Sequence, residues 1–162
     1  PPFQSPWWGP LGVVDGDRVI FRRAQLGRQT FLPHSLCKKV DLIKLVTGSD
    51  AAYLDFAVSR GVDGIVVESF GRGNVPPYVI PGIARALEKG IIVVNATRTG
   101  GRVLDEYGYE GGMLQQHKMG VIMAGELSAA KARLKLMLIL SQYGPDGRPD
   151  PAEVARYFEH SM

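Results

Sequence analysis

Apolar residues along this chain gather in short continuous runs, and four of these runs alternate with Gly- or Ser-rich loops and segments of helical period. The first, Asp41-Leu-Ile-Lys-Leu-Val46, is followed by Thr47-Gly-Ser-Asp50 and a predicted helix ending near Arg60, with Ser49 or Asp50 able to cap its free amides. Gly64-Ile-Val-Val67 leads through Glu68-Ser-Phe-Gly-Arg-Gly-Asn74 into a predicted helix from Tyr78 to Lys89, ended by Gly90. Gly90-Ile-Ile-Val-Val94 runs into Asn95-Ala-Thr-Arg-Thr-Gly-Gly101, and Gly120-Val-Ile-Met123 passes through Ala124-Gly-Glu-Leu-Ser128 into a helix from Ala129 to Ser141. Strands that read as unbroken Ile/Val runs are buried on both faces, so the pattern predicts an α/β fold with a four-stranded parallel sheet covered by helices. Loops of such a sheet converge beyond the carboxyl ends of its strands, where helix N-termini also point, so these four loops are expected to form one rim.

Ahead of this body, Leu11 to Phe21 reads as two extended runs around Asp15-Gly16, a β-hairpin. Ala24 to Lys39 lacks sustained periodicity and contains Pro33, which reads as a linker. The expected organisation is a hairpin segment over 1–23, a linker over 24–40 and an α/β domain over 41–162. A length of 162 residues fits one such domain with a sizeable core. The 20 glycines follow no G-X-Y period and point to many backbone turns. The longest apolar stretch, Leu134 to Leu140, is broken by Lys135 and falls far short of the ~20 residues of a membrane span, so no membrane partner is expected. The Pro1-Pro2 start, with neither an initiator Met nor a signal-peptide pattern, reads as a fragment or a processed product.

The net charge of +3 is unevenly distributed. Residues 1–44 hold seven Lys/Arg against three Asp, and residues 45–162 hold twelve Lys/Arg against thirteen Asp/Glu. Arg18, Arg22, Arg23 and Arg28 surround the hairpin instead of lining a helix, and no aromatic ladder accompanies them. That pattern suits a solvated or interdomain face, and no nucleic-acid partner is expected. The single Cys37 cannot form an internal disulfide, and His34, His117 and His160 offer neither zinc spacing nor a triad. No metal and no cofactor are expected.

Among the rim segments, Gly71-Arg72-Gly73-Asn74 is the most informative, since two glycines admit close backbone approach and Asn74 supplies both donor and acceptor. Its spacing fits neither G-x-G-x-x-G nor a P-loop, and Pro76 and Pro77 remove donors an anion would want, which argues against nucleotide binding. The bland alternative is a left-handed turn Asn whose side chain satisfies its own loop. Thr97 and Thr99 lack a neighbouring base in sequence and read as loop residues. Asp105-Glu-Tyr-Gly-Tyr-Glu110 is either a solvated acidic tip or a carboxylate site for an ammonium group. Ala132, Leu134, Met137, Leu138 and Ser141 recur at helical spacing and read as core.

Taken together, Asp63-Gly64-Ile-Val…Gly71-Arg-Gly-Asn74-Val-Pro76, Tyr107-Gly-Tyr-Glu-Gly-Gly112, Ala124-Gly-Glu-Leu-Ser128 and Lys131-Ala-Arg-Leu-Lys-Leu136 resemble the C-terminal domain of the bacterial-type L-asparaginases, including glutaminase-asparaginases. Gly9-Pro-Leu-Gly12 and the hairpin look like the end of that family's N-terminal domain. The resemblance implies a flavodoxin-like three-layer domain that reaches into the site of a neighbouring subunit, in tetramers built from intimate dimers. It implies hydrolysis of L-asparagine, and often L-glutamine, to the acid and ammonia by a threonine nucleophile. The family's nucleophile motif, T-G-G-T-I, is absent from this sequence, and Thr99-Gly100-Gly101 only imitates it. No catalytic residue is therefore expected here, and residues 1–162 alone are expected to be inactive.

Two positions carry over as substrate-binding residues, Asn74 and Glu110, which the resemblance implies hold the amino-acid head group; Glu106 is a weaker candidate, and another gap placement sets Met113 opposite the acid. The alternatives are a non-catalytic α/β binding or assembly module and the asparaginase-like subunit of a tRNA-dependent amidotransferase. A cytoplasmic location is the expectation, with any signal peptide lying upstream of Pro1.

Overall fold

The computed structural model describes residues 5, 8–24, 27–106 and 108–159. Pro1-Pro2, Tyr107 of the acidic loop and His160 lie outside them. The chain divides into two units, residues 1–30 and 31–162. In the first, β1 (Gly12–Asp15) and β2 (Arg18–Phe21) pair antiparallel with Asp15 opposite Arg18. The connecting residues are therefore Gly16-Asp17, and Gly16 at φ +59° takes the first central position, where a tight hairpin turn calls for glycine.

The second unit contains β3 (Val40–Lys44), β4 (Gly64–Ser69), β5 (Ile92–Thr97) and β6 (Ile122–Met123), paired in parallel and in that spatial order. On one face lie α1 (Ala52–Ser59), α2 (Ile80–Glu88) and α3 (Met113–Met119), whose Leu54, Ala57, Ile83, Ala86 and Met113 pack on Ile43, Ile65, Val67 and Val93. On the other lie α4 (Ala129–Ser141) and α5 (Pro151–Glu159), covering Val40, Val66, Ile92 and Val94. Alternate residues of each central strand thus enter opposite layers, which makes three layers from one sheet. Because strand order follows chain order, the sheet has no internal reversal, and the rim is made by its loops alone.

Four features depart from the sequence pattern. The loop expected before Gly120 contains α3, a short helix whose buried positions are Met113 and Gln116, so it carries almost no apolar period. No helix is marked after Ser141, yet α5 starts at Pro151, with Asp150 Oδ1 accepting from Ala152 N at 3.0 Å and Val154 and Phe158 buried one turn apart. Residues 31–39, read as linker, belong to the α/β unit: Phe31 stacks at 5.7 Å from Tyr157, and Lys38 is buried. In α4 the buried stripe is Ala129, Ala132, Leu136, Ile139 and Leu140, with Leu134 exposed. Its cations Lys131, Arg133 and Lys135 are not gathered on one face, so its own period does not identify the covered one.

Two charged groups tie helices together at the surface. Arg85 reaches from α2 to Asp55 on α1 with two bonds of 2.8 Å, and those bonds hold the Asp55 carboxyl below its ordinary value. Burial, then a bond to Glu153, pushes the Tyr143 phenol up to about 12. Among the described residues no helix is long and apolar enough to cross a membrane.

Candidate functional site

At the carboxyl end of β4 the chain turns through five residues, closed by Phe70 and Asn74. Phe70 N donates to Asn74 O and Asn74 N to Phe70 O, each at 2.9 Å. Gly71 and Gly73 have φ of +49° and +111°, so the turn takes a path that side-chain-bearing residues rarely follow. Space is as restrictive as angle at Gly73, where a Cβ would lie 2.8 Å from Val103 and 3.2 Å from Met113. Asn74 is half-buried, its φ is not left-handed, and its side chain makes no hydrogen bond among the described residues. The reading of Asn74 as a self-satisfied left-handed turn residue is thereby corrected: the two glycines take the unusual angles, and the amide is left available to a ligand.

The second segment, between β5 and α3, carries the acids. Asp105 is bonded to His117 Nδ1 at 2.8 Å, and Glu106 to Arg72 at 3.0 Å. Glu110 is exposed and forms no ion pair among the described residues. Of the three acids in this loop, Glu110 alone keeps an uncommitted carboxylate among the described residues. Met113, the alternative position, is buried as the first residue of α3.

The two segments meet beside the candidate residues. Val75 N donates to Gly111 O at 2.9 Å, so the residue after Asn74 is joined to the residue after Glu110. Gly111 has φ +80°, and a Cβ there would sit 2.2 Å from Val75 O. Only glycine allows the two segments of this junction to approach so closely.

Beneath the junction is a buried polar cluster that the sequence pattern does not reveal. Ser69 Oγ donates to Asn95 Oδ1 at 2.6 Å. Asn95 Nδ2 donates to Gly73 O at 2.9 Å and to Gln116 Oε1 at 2.7 Å. Gln116 Nε2 donates to Gly73 O at 2.9 Å and to Gly111 O at 3.0 Å. Ser69, Asn95 and Gln116 are all fully buried. A sequence reader meets Asn95 as the start of a loop and Gln116 in a polar run; the available signal is parity, since Asn95 follows Val93 by two and shares its face of β5.

Thr97 and Thr99 serve the same loop. Thr97 Oγ1 donates to Gly71 O at 2.5 Å, Thr99 Oγ1 lies 3.2 Å from the same carbonyl, and the two hydroxyls are 3.0 Å apart. Neither contacts an imidazole or an amine among the described residues, so nothing there activates a nucleophile. The Arg98 guanidinium lies 4.5 Å over the Phe70 ring. Among the described residues no three His, Cys, Asp or Glu gather as metal ligands.

A cleft of about 350 Å³ lies at the opposite, amino end of the strands and is lined by residues that include Lys38, Asp63, Lys89, Gly147 and Arg148. Its buried ammonium is committed: Lys38 Nζ donates to Asp63 at 3.2 Å and to the carbonyls of Pro145 and Gly147 at 2.8 Å. None of the candidate residues reaches it.

Comparison with known proteins bears on the rim. Residues 39–158 match the family model of the glutaminase/asparaginase C-terminal domain. An L-asparaginase of Bacillus licheniformis is 35% identical over 137 residues, 84% of this chain and 42% of that protein. A probable L-asparaginase of Deinococcus radiodurans is 36% identical over 82% of this chain and 42% of its own. A component of the glutamyl-tRNA(Gln) amidotransferase of Pyrococcus abyssi is 37% identical over 86% of this chain and 31% of its own. The chain spans less than half the length of these curated relatives. A match of this extent, over a three-layer unit built from the D-G-I-V strand and the G-x-G-N turn, makes the chain a member of the glutaminase/asparaginase C-terminal domain family.

Proposed function

We propose that this chain forms the head-group wall of a site that hydrolyses L-asparagine, with L-glutamine as a second substrate. Asn74 and Glu110 hold the substrate's amino-acid group, and the threonine nucleophile belongs to an N-terminal domain outside this sequence, across a subunit interface. The observation that carries the reading is the Val75–Gly111 hydrogen bond, which joins the loops of an amide and a carboxylate that have no partner among the described residues. A carboxylate there pairs with the substrate ammonium, and the Asn74 amide donates to its carboxylate. Charge-assisted contacts of this kind orient the scissile amide for attack.

In the full-length protein, Asn74→Ala is expected to lower kcat/KM for L-asparagine by roughly 10–200-fold, the loss of one charge-assisted contact of about 1.5–3 kcal/mol. An unchanged kcat/KM rejects the assignment. Residues 1–162 by themselves are expected to release no ammonia from L-asparagine, because neither threonine on the rim has a base. The full-length assembly is proposed to be a dimer of dimers in the cytoplasm, checked by light scattering and by cell fractionation; the 28% identical relative from Haemophilus influenzae named as a probable periplasmic L-asparaginase supplies the contrary expectation.

A second reading is favoured by the 37% identity to the glutamyl-tRNA(Gln) amidotransferase component. It makes the chain part of a tRNA-dependent enzyme, and predicts that full-length protein binds tRNA and releases ammonia faster in its presence. Failure of tRNA to change the rate leaves the asparaginase reading.

A further inference from the structure

We infer that Asn95 and Gln116 are positioning residues for this site, their two side-chain amides setting the separation between Asn74 and Glu110. The inference rests on the reading of those two residues as head-group contacts.

A buried polar cluster is a poor way merely to fill a core, since amides removed from water are tolerated only when their hydrogen bonds are made. Here they are all made. The four N–H groups of the two amides meet three acceptors, Gly73 O accepting from both side chains, and this pattern fixes which way each amide faces. The acceptors are specific: Gly73 O lies immediately before Asn74, and Gly111 O lies immediately after Glu110. Gln116 spans both carbonyls with one nitrogen, and Asn95 doubles the hold on Gly73. An apolar pair of the same volume fills the space but addresses neither loop.

The two amides stand on rigid supports. Asn95 belongs to β5, paired with β4 over its whole length, and Gln116 lies within α3, its backbone N bonded to Gly112 O at 3.3 Å. Both are fully buried, so solvent does not compete for their bonds. Backbone bonds from Val75 N to Gly111 O and from Leu104 N to Arg72 O also join these loops, whereas the side-chain contacts Arg72–Glu106 and Asp105–His117 are exposed and fix spacing poorly. A head-group contact displaced by ~1 Å loses most of its hydrogen bond to the substrate, so a buried tie on Gly73 and Gly111 bears on substrate binding.

The test uses full-length protein and ammonia release from L-asparagine. Gln116→Met keeps the volume and removes both donors. It is expected to raise KM by about 10-fold or more while kcat changes by less than about 3-fold, the split of weakened binding felt equally by substrate and transition state. Asn74→Ala is expected to do less harm in the Gln116→Met background than alone, because a misplaced amide has less to lose. A wild-type KM for Gln116→Met, an equal fall in kcat at unchanged KM, or strict additivity with Asn74→Ala overturns the inference.

Should Gln116→Met not fold, Ser69→Ala decides: it frees Asn95 Oδ1, leaves every N–H donor in place, and is expected to raise KM by about 2–5-fold, an unchanged KM counting against the proposal. The failures separate cleanly. Impairment by Asn74→Ala with no effect of Gln116→Met sinks the positioning role alone, whereas silence of both Asn74→Ala and Glu110→Ala sinks the head-group reading beneath it.

Discussion

The two ends of the parallel sheet hold their loops by different chemistry. At the carboxyl end, neutral amides from Asn95 and Gln116 bond to the loop carbonyls of Gly73 and Gly111, next to Asn74 and Glu110. At the amino end, one buried ammonium from Lys38 holds the 145–147 turn and Asp63 beside a cleft of about 350 Å³. A cleft whose buried charge is already shared among three acceptors has a structural tie at its wall, while the rim keeps the Asn74 amide and the Glu110 carboxylate uncommitted among the described residues.

The contrast is most sharply tested at two glycines. Gly111→Ala meets Val75 O at 2.2 Å and demands a left-handed alanine; Gly147→Ala meets Tyr143 O at 1.8 Å. Each is expected to destabilise the α/β unit by more than about 2 kcal/mol in urea denaturation. In full-length protein that remains folded at low temperature, only Gly111→Ala is expected to raise KM. Equal effects on KM break the distinction between the two ends.

Next in size is Lys38→Met, expected to be destabilising by about 3 kcal/mol, because the carbonyls of Pro145 and Gly147 lose their donor in a buried setting. Gln116→Met is expected to be milder, about 1–2 kcal/mol, since Gly73 O retains Asn95 and Gly111 O retains Val75 N. Urea midpoints of the two variants, compared directly, check the order. Thr97→Val comes below these, at about 1 kcal/mol, with the exposed Thr99→Val smaller again.

The smallest effect belongs to neither end. Asp55 is held below its ordinary value by Arg85, so its contribution to stability is present above the unfolded carboxylate pKa and is lost as pH falls through the lowered folded value. Asp55→Asn is therefore expected to lower the denaturation midpoint slightly at neutral pH and to match the parent protein in acid. A gap that persists in acid shows that the pair acts through packing instead of charge.

Much of the scaffold was legible because burial and apolar sequence coincide there. The four strands and α4 follow Ile/Val/Leu runs, and the bounds of α4 agree with its Ser128 cap and its end at Ser141. Legibility fails where burial and polarity coincide. β4 extends to Ser69 and β5 to Thr97, past the apolar runs, because their terminal polar residues are satisfied inside the protein. α3 was invisible for the same reason, its second buried residue being a glutamine. Asn74 and Glu110 emerged from resemblance to a family motif. Nothing in one sequence reveals that two amides beneath them bond to the adjoining carbonyls, since those partners lie 22 and 5 residues away in the chain.

Strand order equal to chain order has a consequence for assembly during synthesis. Each strand of the α/β unit pairs with the one made just before it, so the sheet can grow by addition at one edge, with α1, α2 and α3 covering the first face as they appear. The second face has no such provision. Val40, Val66, Ile92 and Val94 stay without their cover until residues 129–159 have emerged from the ribosome. Nascent chains halted before α4 therefore carry a bare aliphatic sheet surface, and that interval is when this domain most needs a chaperone.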